Sequence, residues 1–290
     1  MAHEKHFDHV TGTETTGHVW DDDIRELNKP LPKWWLYVMY ATIVWGIGYW
    51  IAYPAWPTLS GYTKGMLGYS QRSEVAADIA QAKAAQDTFR QAIDKTPLAD
   101  IKQSPELMQF AMAGGAALFG ENCAACHGRG AQGATGYPNL NDDDWLWGGT
   151  LDTIHKTISY GIRSSHEQTH ATAMPRFGLD GALDAAQIND VASHVRLMAG
   201  LDADKEQAAR GAATFADQCA VCHNPDGTGN TEMGAPNLVD SIWLYGNSQQ
   251  QVAASIATGR GGIMPAWEGR LDPVSIKMLT VYVHALGGGK

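Results

Sequence analysis

Cysteine is scarce in this sequence, with four residues in 290. All four lie in two copies of one short motif, CAACH at 123–127 and CAVCH at 219–223, so none is left for a structural disulfide. Positive charge is also in short supply. The chain has 21 basic and 31 acidic residues and a formal net charge of −10. This balance argues against a nucleic-acid partner and favours a basic protein partner.

Charge of either sign is missing from one long stretch, because no charged residue lies between Lys33 and Lys64. Its apolar part, 34–57, exceeds the roughly 20 residues that a helix needs to cross a bilayer. Tryptophan and tyrosine gather toward its two ends, as they do at membrane surfaces, and prolines close it. A cleaved signal peptide would have a shorter apolar core nearer the N-terminus. We therefore expect a transmembrane helix in contact with lipid at 34–57, after a polar segment at 1–33.

The next segment, 58–103, is expected to be a helical spacer. Ser73 can cap a helix there, and Pro97 would end it. One stripe of this helix is apolar, formed by Val75, Ile79, Ala82, Phe89 and Ile93. Such a stripe predicts that the helix packs against another part of the protein or its assembly.

From about residue 104 the sequence is an internal duplication, which predicts two tandem domains at 104–202 and 203–290. The two cysteine motifs lie 96 positions apart, and a helix with a matching glycine and phenylalanine precedes each, at Gly115 and Phe119 and at Gly211 and Phe215. A Met-Pro pair follows in each unit, and the first unit holds eight extra residues around SSHEQTHA before it. Each unit closes with a further helix, which begins at Asp184 or at Asp272.

No strand pattern competes with these helices, so the duplication predicts an all-α arrangement. Gly115 and Gly211 are expected to lie where the first helix of each unit crosses the last helix of the same unit. Phe119 and Phe215 are expected to fill the core beside the cysteine motifs.

The CxxCH motif is the attachment signature of a c-type haem. Two thiols on adjacent turns bond to the vinyl groups of one haem, and the next histidine binds its iron. A zinc site would pool the two cysteine pairs, but 92 residues separate Cys126 from Cys219, instead of the usual ~15–20. A thioredoxin-like redox pair would need a βαβ surround, which the sequence lacks. We expect two covalently bound haem c groups, on His127 and His223.

The sixth iron ligand has several candidates, namely His155, His166, His170, His194, Met174 and Met198 in the first unit and Met233, Met264, Met278 and His284 in the second. Only Met174 and Met264 recur in both units with the same neighbour, a proline. A thioether ligand gives a six-coordinate iron with a raised reduction potential and no open position for oxygen. This pattern predicts electron transfer, with no catalytic residue in the chain.

One further pair of residues follows from the repeat. Pro138 and Pro236 come shortly after each motif, close enough for a backbone carbonyl to accept the Nδ1 proton of the motif histidine. Arg163 and Arg260 either pair with haem propionates or are solvated surface residues. The sequence leaves both interpretations open.

Two class I cytochrome c units behind the segment LNKPLPKWWLYVMYATIVWGIGYWIAYPAWP resemble a known family over nearly the whole chain. This family is the membrane-anchored dihaem subunit, of FixP/CcoP type or subunit III, of the cbb3-type cytochrome c oxidase. The resemblance implies an all-α fold with one N-terminal transmembrane helix and two tandem class I cytochrome c domains. It also implies haem ligands in each unit, Cys123, Cys126, His127 and Met174 in the first and Cys219, Cys222, His223 and Met264 in the second.

The resemblance further implies electron relay from a soluble or membrane-bound cytochrome c donor. The electrons would pass to a monohaem cytochrome c subunit and on to the catalytic haem-copper subunit, which reduces oxygen and pumps protons. The chain would be a single-pass protein of the bacterial inner membrane, with residues 1–33 in the cytoplasm and the haem domains in the periplasm. The first unit has the larger excess of acidic residues, so it is expected to attract a basic donor.

Two other classes of function stay open at this stage. A dihaem peroxidase or oxygenase would need an iron without methionine, and the insertion with His166 and His170 leaves a ligand exchange near the first haem conceivable. A membrane-tethered electron carrier or redox sensor without an oxidase would share all the motifs. Haem potentials, the order of electron entry and the stoichiometry of the complex do not follow from the sequence.

Overall fold

The computed structural model describes residues 5–287. It divides into two compact units, the first ending at Ala84 and the second beginning at Ala85, and each is described here by itself. Among the described residues, one helix is long and apolar enough to cross a membrane, and it lies in the first unit. The second unit holds both cysteine motifs.

A β-hairpin lies in the polar segment that precedes the apolar helix. Strands β1 (Thr15–Trp20) and β2 (Ile24–Leu27) pair antiparallel, with Trp20 opposite Ile24. Asp21 and Asp22 form the turn with φ of 47° and 67°, a left-handed conformation that aspartate tolerates better than most residues. The expectation of an all-α chain is therefore wrong for this segment.

The apolar helix is α1 (Lys33–Ala52), and none of its 20 residues, all within the described part of the chain, is buried. It ends earlier than the apolar run because Tyr53 precedes a proline and is extended, at φ −115° and ψ 163°. A second small hairpin follows, β3 (Pro57–Thr58) with β4 (Gly61–Tyr62). The predicted transmembrane span of 34–57 is thus helical only over its first part.

Helix α2 (Gln71–Lys95) is the predicted spacer helix, and its C-terminal end belongs to the second unit. There Ile93 is fully buried and the ring of Phe89 stacks on Phe110 at 5.1 Å. The Lys277 ammonium donates to the carbonyls of residues 93, 94 and 96 at 3.1, 2.7 and 3.0 Å. A cation here provides a hydrogen-bond donor for the unpaired carbonyls at the helix C-terminus and interacts favourably with the helix dipole. This end of the spacer is therefore fixed to the second unit.

The rest of the second unit is helical, with α3 (Leu98–Ile101), α4 (Pro105–Asn122), α5 (Ala124–His127), α6 (Leu151–Tyr160), α7 (Ala185–Met198), α8 (Lys205–Gln218), α9 (Ala220–His223), α10 (Gln249–Thr258) and α11 (Pro273–Ala285). At six of the N-termini a side chain accepts a hydrogen bond from a backbone N–H group. The accepting side chains are those of Ser104, Thr150, Asp184, Asp204, Ser248 and Asp272. The predicted caps at Asp184 and Asp272 are confirmed.

The final helices of the two sequence units are exchanged. Helix α11 packs on α4, and α7 packs on α8. A side chain at Gly115 would lie 2.5 Å from Cβ of Tyr282 on α11, and one at Gly211 would collide with the backbone of Asp190 on α7. The expectation that each glycine faces the last helix of its own unit is wrong. Each faces the last helix of the other unit.

The exchange produces two bodies that differ from the sequence units. One hydrophobic cluster runs from Met174 to Ala257 without a break in the chain, and we call residues 174–260 the inserted body. A second cluster combines residues 118–158 with 264–286, and we call 98–162 together with 264–287 the outer body. The inserted body thus interrupts the outer body between α6 and α11.

We expect Gly115→Ala to lower the free energy of unfolding of the haem-loaded protein by about 1–3 kcal/mol, since the added methyl forces α4 away from α11. Gly120→Ala is the matched control, because a Cβ at Gly120 on the same helix meets no atom within 4 Å. That control should be neutral or stabilising, by up to about 1 kcal/mol. Thermal unfolding measures both. Equal destabilisation by the two variants would contradict the packing described here.

Candidate haem sites

Each cysteine motif forms one short helical turn directly after a long helix. The N–H of Cys123 donates to the carbonyl of Phe119 at 2.9 Å, and that of Cys219 donates to Phe215 at the same distance. Burial, and secondarily the neighbouring motif cysteine, raises the pKa of the Cys123 and Cys219 thiols to about 11. Redox-active pairs instead have a lowered thiol pKa. The environment therefore does not suit a thioredoxin-like reaction.

The motif histidines are oriented by backbone carbonyls, as the spacing predicts. Nδ1 of His127 lies 3.0 Å from the carbonyl oxygen of Pro138, and Nδ1 of His223 lies 3.0 Å from that of Pro236. A carbonyl can only accept, so Nδ1 carries the proton and Nε2 keeps its lone pair for iron. Burial lowers the pKa of His223 despite its bond to Pro236, which favours the neutral form that binds metal.

Each candidate methionine packs with the cysteine motif of the other sequence unit. Met174 packs in the cluster of the inserted body with Cys219 and Phe215. Met264 packs in the cluster of the outer body with Cys123 and its neighbours. We expected each methionine to lie beside the motif of its own unit, but the structure groups it with the motif of the other unit. The helix exchange is the cause, because each methionine precedes an exchanged helix.

Backbone pairing fixes both methionine segments in the same way. Ile162 and Met264 exchange N–H to carbonyl bonds of 2.9 and 3.0 Å, and Met174 and Arg260 exchange bonds of 2.9 and 3.3 Å. Ile162 and Arg260 occupy equivalent positions in the two units. The residue before each is a glycine with positive φ, which lets the methionine segment approach closely: Gly161 at 71° and Gly259 at 68°.

A cavity of about 920 Å³ is lined by both cysteine motifs and both methionines, mainly with apolar groups. Paired thiols, an imidazole with Nε2 available and a thioether form the donor set that suits haem c. Within residues 5–287, no group of three or more His, Cys, Asp or Glu side chains could hold a bare metal ion. The residues therefore fit haem and do not fit a zinc site.

The histidines of the eight-residue insertion have partners other than the methionine positions. Nε2 of His166 lies 2.9 Å from the carboxylate of Glu268, and its ring stacks on Tyr160 at 4.6 Å. Nε2 of His170 lies 3.1 Å from the Thr157 hydroxyl, and its ring stacks on Trp147 at 4.1 Å. This arrangement gives no support to a ligand exchange at the first motif.

Arg163 and Arg260, the two candidate partners of haem propionates, both line the cavity and bond to protein groups. The Arg260 guanidinium donates to the Ser255 hydroxyl at 2.7 Å and lies over the Tyr245 ring at 3.8 Å. The Arg163 guanidinium donates to two backbone carbonyls. Neither arginine is simply a solvated surface residue.

Carboxylates from both sequence units meet at the wall of the cavity. Burial, followed by repulsion from Asp240, Asp142 and Asp143, raises the pKa of Asp144 to about 6. Asp240 occupies the position in the second unit that Asp142 holds in the first. Sequence reasoning missed Asp240, because its proximity to Asp144 depends on how the two units pack.

The raised pKa of Asp144 predicts a pH-dependent stability. The folded protein binds this proton more tightly than the unfolded chain, so ionisation above about pH 6 costs stability. That cost disappears as the pH falls through 6 toward the unfolded pKa. At pH 7.5 we expect Asp144→Asn to stabilise the haem-loaded protein by about 1 kcal/mol, since solvent screens part of the repulsion. Near pH 4 the two proteins should unfold alike.

Asp143→Asn is the control for this measurement, because Asp143 is an exposed neighbour in the same run. Its thermal unfolding at pH 7.5 should shift by much less than that of Asp144→Asn, since Asp143 contributes least to the raised pKa of Asp144. A stability of Asp144→Asn that is unchanged at pH 7.5 would contradict the predicted repulsion.

Two family models and several curated relatives match the chain. The model of the N-terminal domain of cytochrome oxidase-cbb3, FixP, matches residues 12–60, and that of cytochrome C oxidase, cbb3-type, subunit III, matches residues 110–195 and 206–283. The chain is 53% identical over 291 residues to the Cbb3-type cytochrome c oxidase subunit FixP of Bradyrhizobium sp. (strain ORS 278), with 100% of both chains covered. It is 49% identical over 277 residues to subunit CcoP of Cereibacter sphaeroides, with 95% of each covered. The chain therefore belongs to the family of subunit III of the cbb3-type cytochrome c oxidases.

Proposed function

We propose that the chain binds two haem c groups and relays electrons from a cytochrome c donor to the catalytic core of a cbb3-type oxidase. The observation that carries the proposal is that, in each body, one methionine packs beside one cysteine motif whose histidine is oriented by a backbone carbonyl. Bound haem c supplies a reversible one-electron iron couple. The chain itself attaches, orients and encloses the two groups.

The proposed ligand sets follow the packing and not the sequence units. In the outer body they are Cys123, Cys126, His127 and Met264, and in the inserted body they are Cys219, Cys222, His223 and Met174. The carbonyls of Pro138 and Pro236 hold each imidazole in the tautomer that can bind iron. The cavity wall around both sites is mainly apolar.

We propose that the chain performs no oxygen chemistry, because a methionine on each iron would leave no position for oxygen or peroxide. The alternative is a dihaem peroxidase or oxygenase, which would need one methionine to be absent from its iron. Both methionines pack beside a cysteine motif. This packing favours electron relay over the enzyme.

The proposed partners are the catalytic haem-copper subunit, a monohaem cytochrome c subunit and a soluble or membrane-bound cytochrome c donor. The relatives named above are oxidase subunits, which supports an oxidase partner over an independent carrier. Purification in mild detergent separates the two. Co-migration with a haem b and copper protein supports the oxidase, and a lone dihaem species supports the carrier.

The helix exchange removes the expected difference in charge between the two units. Asp184 and Asp190 belong to the first unit in sequence, but they lie at the start of and along α7, in the inserted body. Counted by body, the excess of acidic residues is nearly equal. Charge therefore gives no reason to place donor docking at the first cysteine motif.

We propose that α1 spans the inner membrane, with the N-terminal segment in the cytoplasm and the haem-binding bodies in the periplasm. Arg25, Lys29 and Lys33 come shortly before the helix, and Lys64 and Arg72 follow it. This slight excess of positive charge on the N-terminal side agrees with a cytoplasmic N-terminus.

The exchanged ligation predicts which fragment of the chain can hold a haem. An exported fragment of residues 174–260 contains the whole cluster of the inserted body, so we expect it to fold with one haem. Met174→His in this fragment should lower the reduction potential, because imidazole stabilises ferric iron relative to a thioether. Redox titration of the purified fragment measures the shift.

The matched control is a fragment of residues 203–287, which follows the sequence unit and lacks α7. We expect it to yield little haem protein. In the full chain, Met264→His should lower one potential only, and Met198→His should leave both potentials nearly unchanged. A stable six-coordinate haem in the fragment of residues 203–287 would contradict the exchanged ligand sets.

The anchor gives a separate prediction. Because α1 is the one candidate span among the described residues, an exported chain that begins at Gly65 should be soluble and carry two haems. Cell fractionation and the ratio of haem to protein measure this outcome. Recovery of the shortened chain in the membrane fraction alone would refute the assignment of α1 as the anchor.

A further inference from the structure

The chain crosses between the two bodies twice, and one arginine side chain bonds to both crossings. The crossings are residues 163–173, which lead into the inserted body, and 261–263, which lead out of it. Arg163 Nε donates to the carbonyl of Gly262 at 2.7 Å, and its Nη1 donates to the carbonyl of Thr172. One guanidinium therefore ties the two crossings together.

The two carbonyls that accept from Arg163 occupy equivalent positions relative to the two methionines. Thr172 lies two residues before Met174, and Gly262 lies two residues before Met264. Each methionine segment is also paired at its own backbone, with Arg260 or with Ile162. The guanidinium thus adds the same restraint to both methionine segments, just before the residue that is proposed to bind iron.

The second unit has no equivalent of this side chain. Gly261 occupies the position that Arg163 holds in the first unit, since each follows one of the paired residues Ile162 and Arg260. Arg163 has φ of 49°, a left-handed conformation that is unfavourable for a residue with a side chain. Glycine would adopt it without strain. Arg163 has an unfavourable backbone conformation, but its side chain makes two charge-assisted bonds that glycine could not make.

We propose that Arg163 is a positioning residue for both axial methionines, which it holds in place by fixing the two crossings to each other. This inference rests on the proposed exchanged ligation. A thioether binds iron weakly, so how fully it occupies the iron depends on how firmly its segment is held. Release of the guanidinium should loosen both methionines at once, although they belong to different bodies.

Arg163→Lys tests the restraint while it keeps the positive charge. A lysine ammonium is a single point donor and cannot hold two carbonyls in the fixed geometry of a guanidinium. In the full-length dihaem protein in detergent we expect lower potentials at both haems. We also expect a weaker near-infrared charge-transfer band of methionine-bound ferric haem, and about tenfold faster carbon monoxide binding by the reduced protein.

Arg210→Lys is the matched control. Its guanidinium also makes two hydrogen bonds, both to the carboxylate of Asp190, and it does not line the cavity. Potentials and carbon monoxide binding should stay close to the wild-type values in this variant. If Arg163 acts through charge alone, Arg163→Lys will also behave as wild type, and that result overturns the proposal. An effect of Arg163→Lys at one haem only overturns it as well.

A measurement on the wild-type protein covers the case in which Arg163→Lys does not accumulate. The N–H groups of Met174 and Met264 are both hydrogen-bonded to backbone carbonyls. If Arg163 couples the two segments, these amides should exchange with solvent in one common opening event and at similar rates. Clearly different opening rates overturn the proposal.

The two proposals fail in distinguishable ways. If Met174→His and Met264→His leave both potentials unchanged, the exchanged ligation is wrong. If those variants shift the potentials and Arg163→Lys does not, the ligation stands and the positioning role of Arg163 is wrong.

Discussion

The backbone pairing of each methionine with a residue of the other sequence unit is the constraint on which the rest of the second unit depends. Met264 pairs with Ile162, and Met174 pairs with Arg260. Because each methionine comes directly before an exchanged stretch of chain, the pairing and the helix exchange require one another. In the proposed ligand sets neither sequence unit holds a complete haem site, because each set takes its cysteines and histidine from one unit and its methionine from the other.

The exchange also determines which surfaces and charges surround each site. The inserted body is one continuous stretch of chain, whereas the outer body is closed only when α11 returns to α4. Asp142 and Asp240 are equivalent in the repeat and lie close enough to repel Asp144 at the wall of the shared cavity. The pKa of Asp144 therefore depends on residues of both sequence units.

Local features could be predicted from the sequence because they depend on nearby residues. The caps at Asp184 and Asp272, and the carbonyls of Pro138 and Pro236 beside the motif histidines, were all correct. The prediction of which helix crosses α4 at Gly115 was wrong. A helix glycine indicates a close crossing, but α7 and α11 are equivalent in the repeat, so the sequence could not tell which of them crosses there. The first hairpin was missed because strands of six and four residues carry little periodicity.

The two crossings between the bodies are unequal despite the duplication. The outgoing crossing, 261–263, is short, whereas the incoming one contains the eight extra residues and must be held by its own contacts. His166 bonds to Glu268 of the outer body, and the Arg163 amide donates to the carbonyl of His170 at 2.7 Å. The first contact joins the insertion to the outer body, and the second closes the insertion on itself. The proposed relay needs a fixed distance between two haems, and the bonds at the crossings restrain the bodies close to Met174 and Met264.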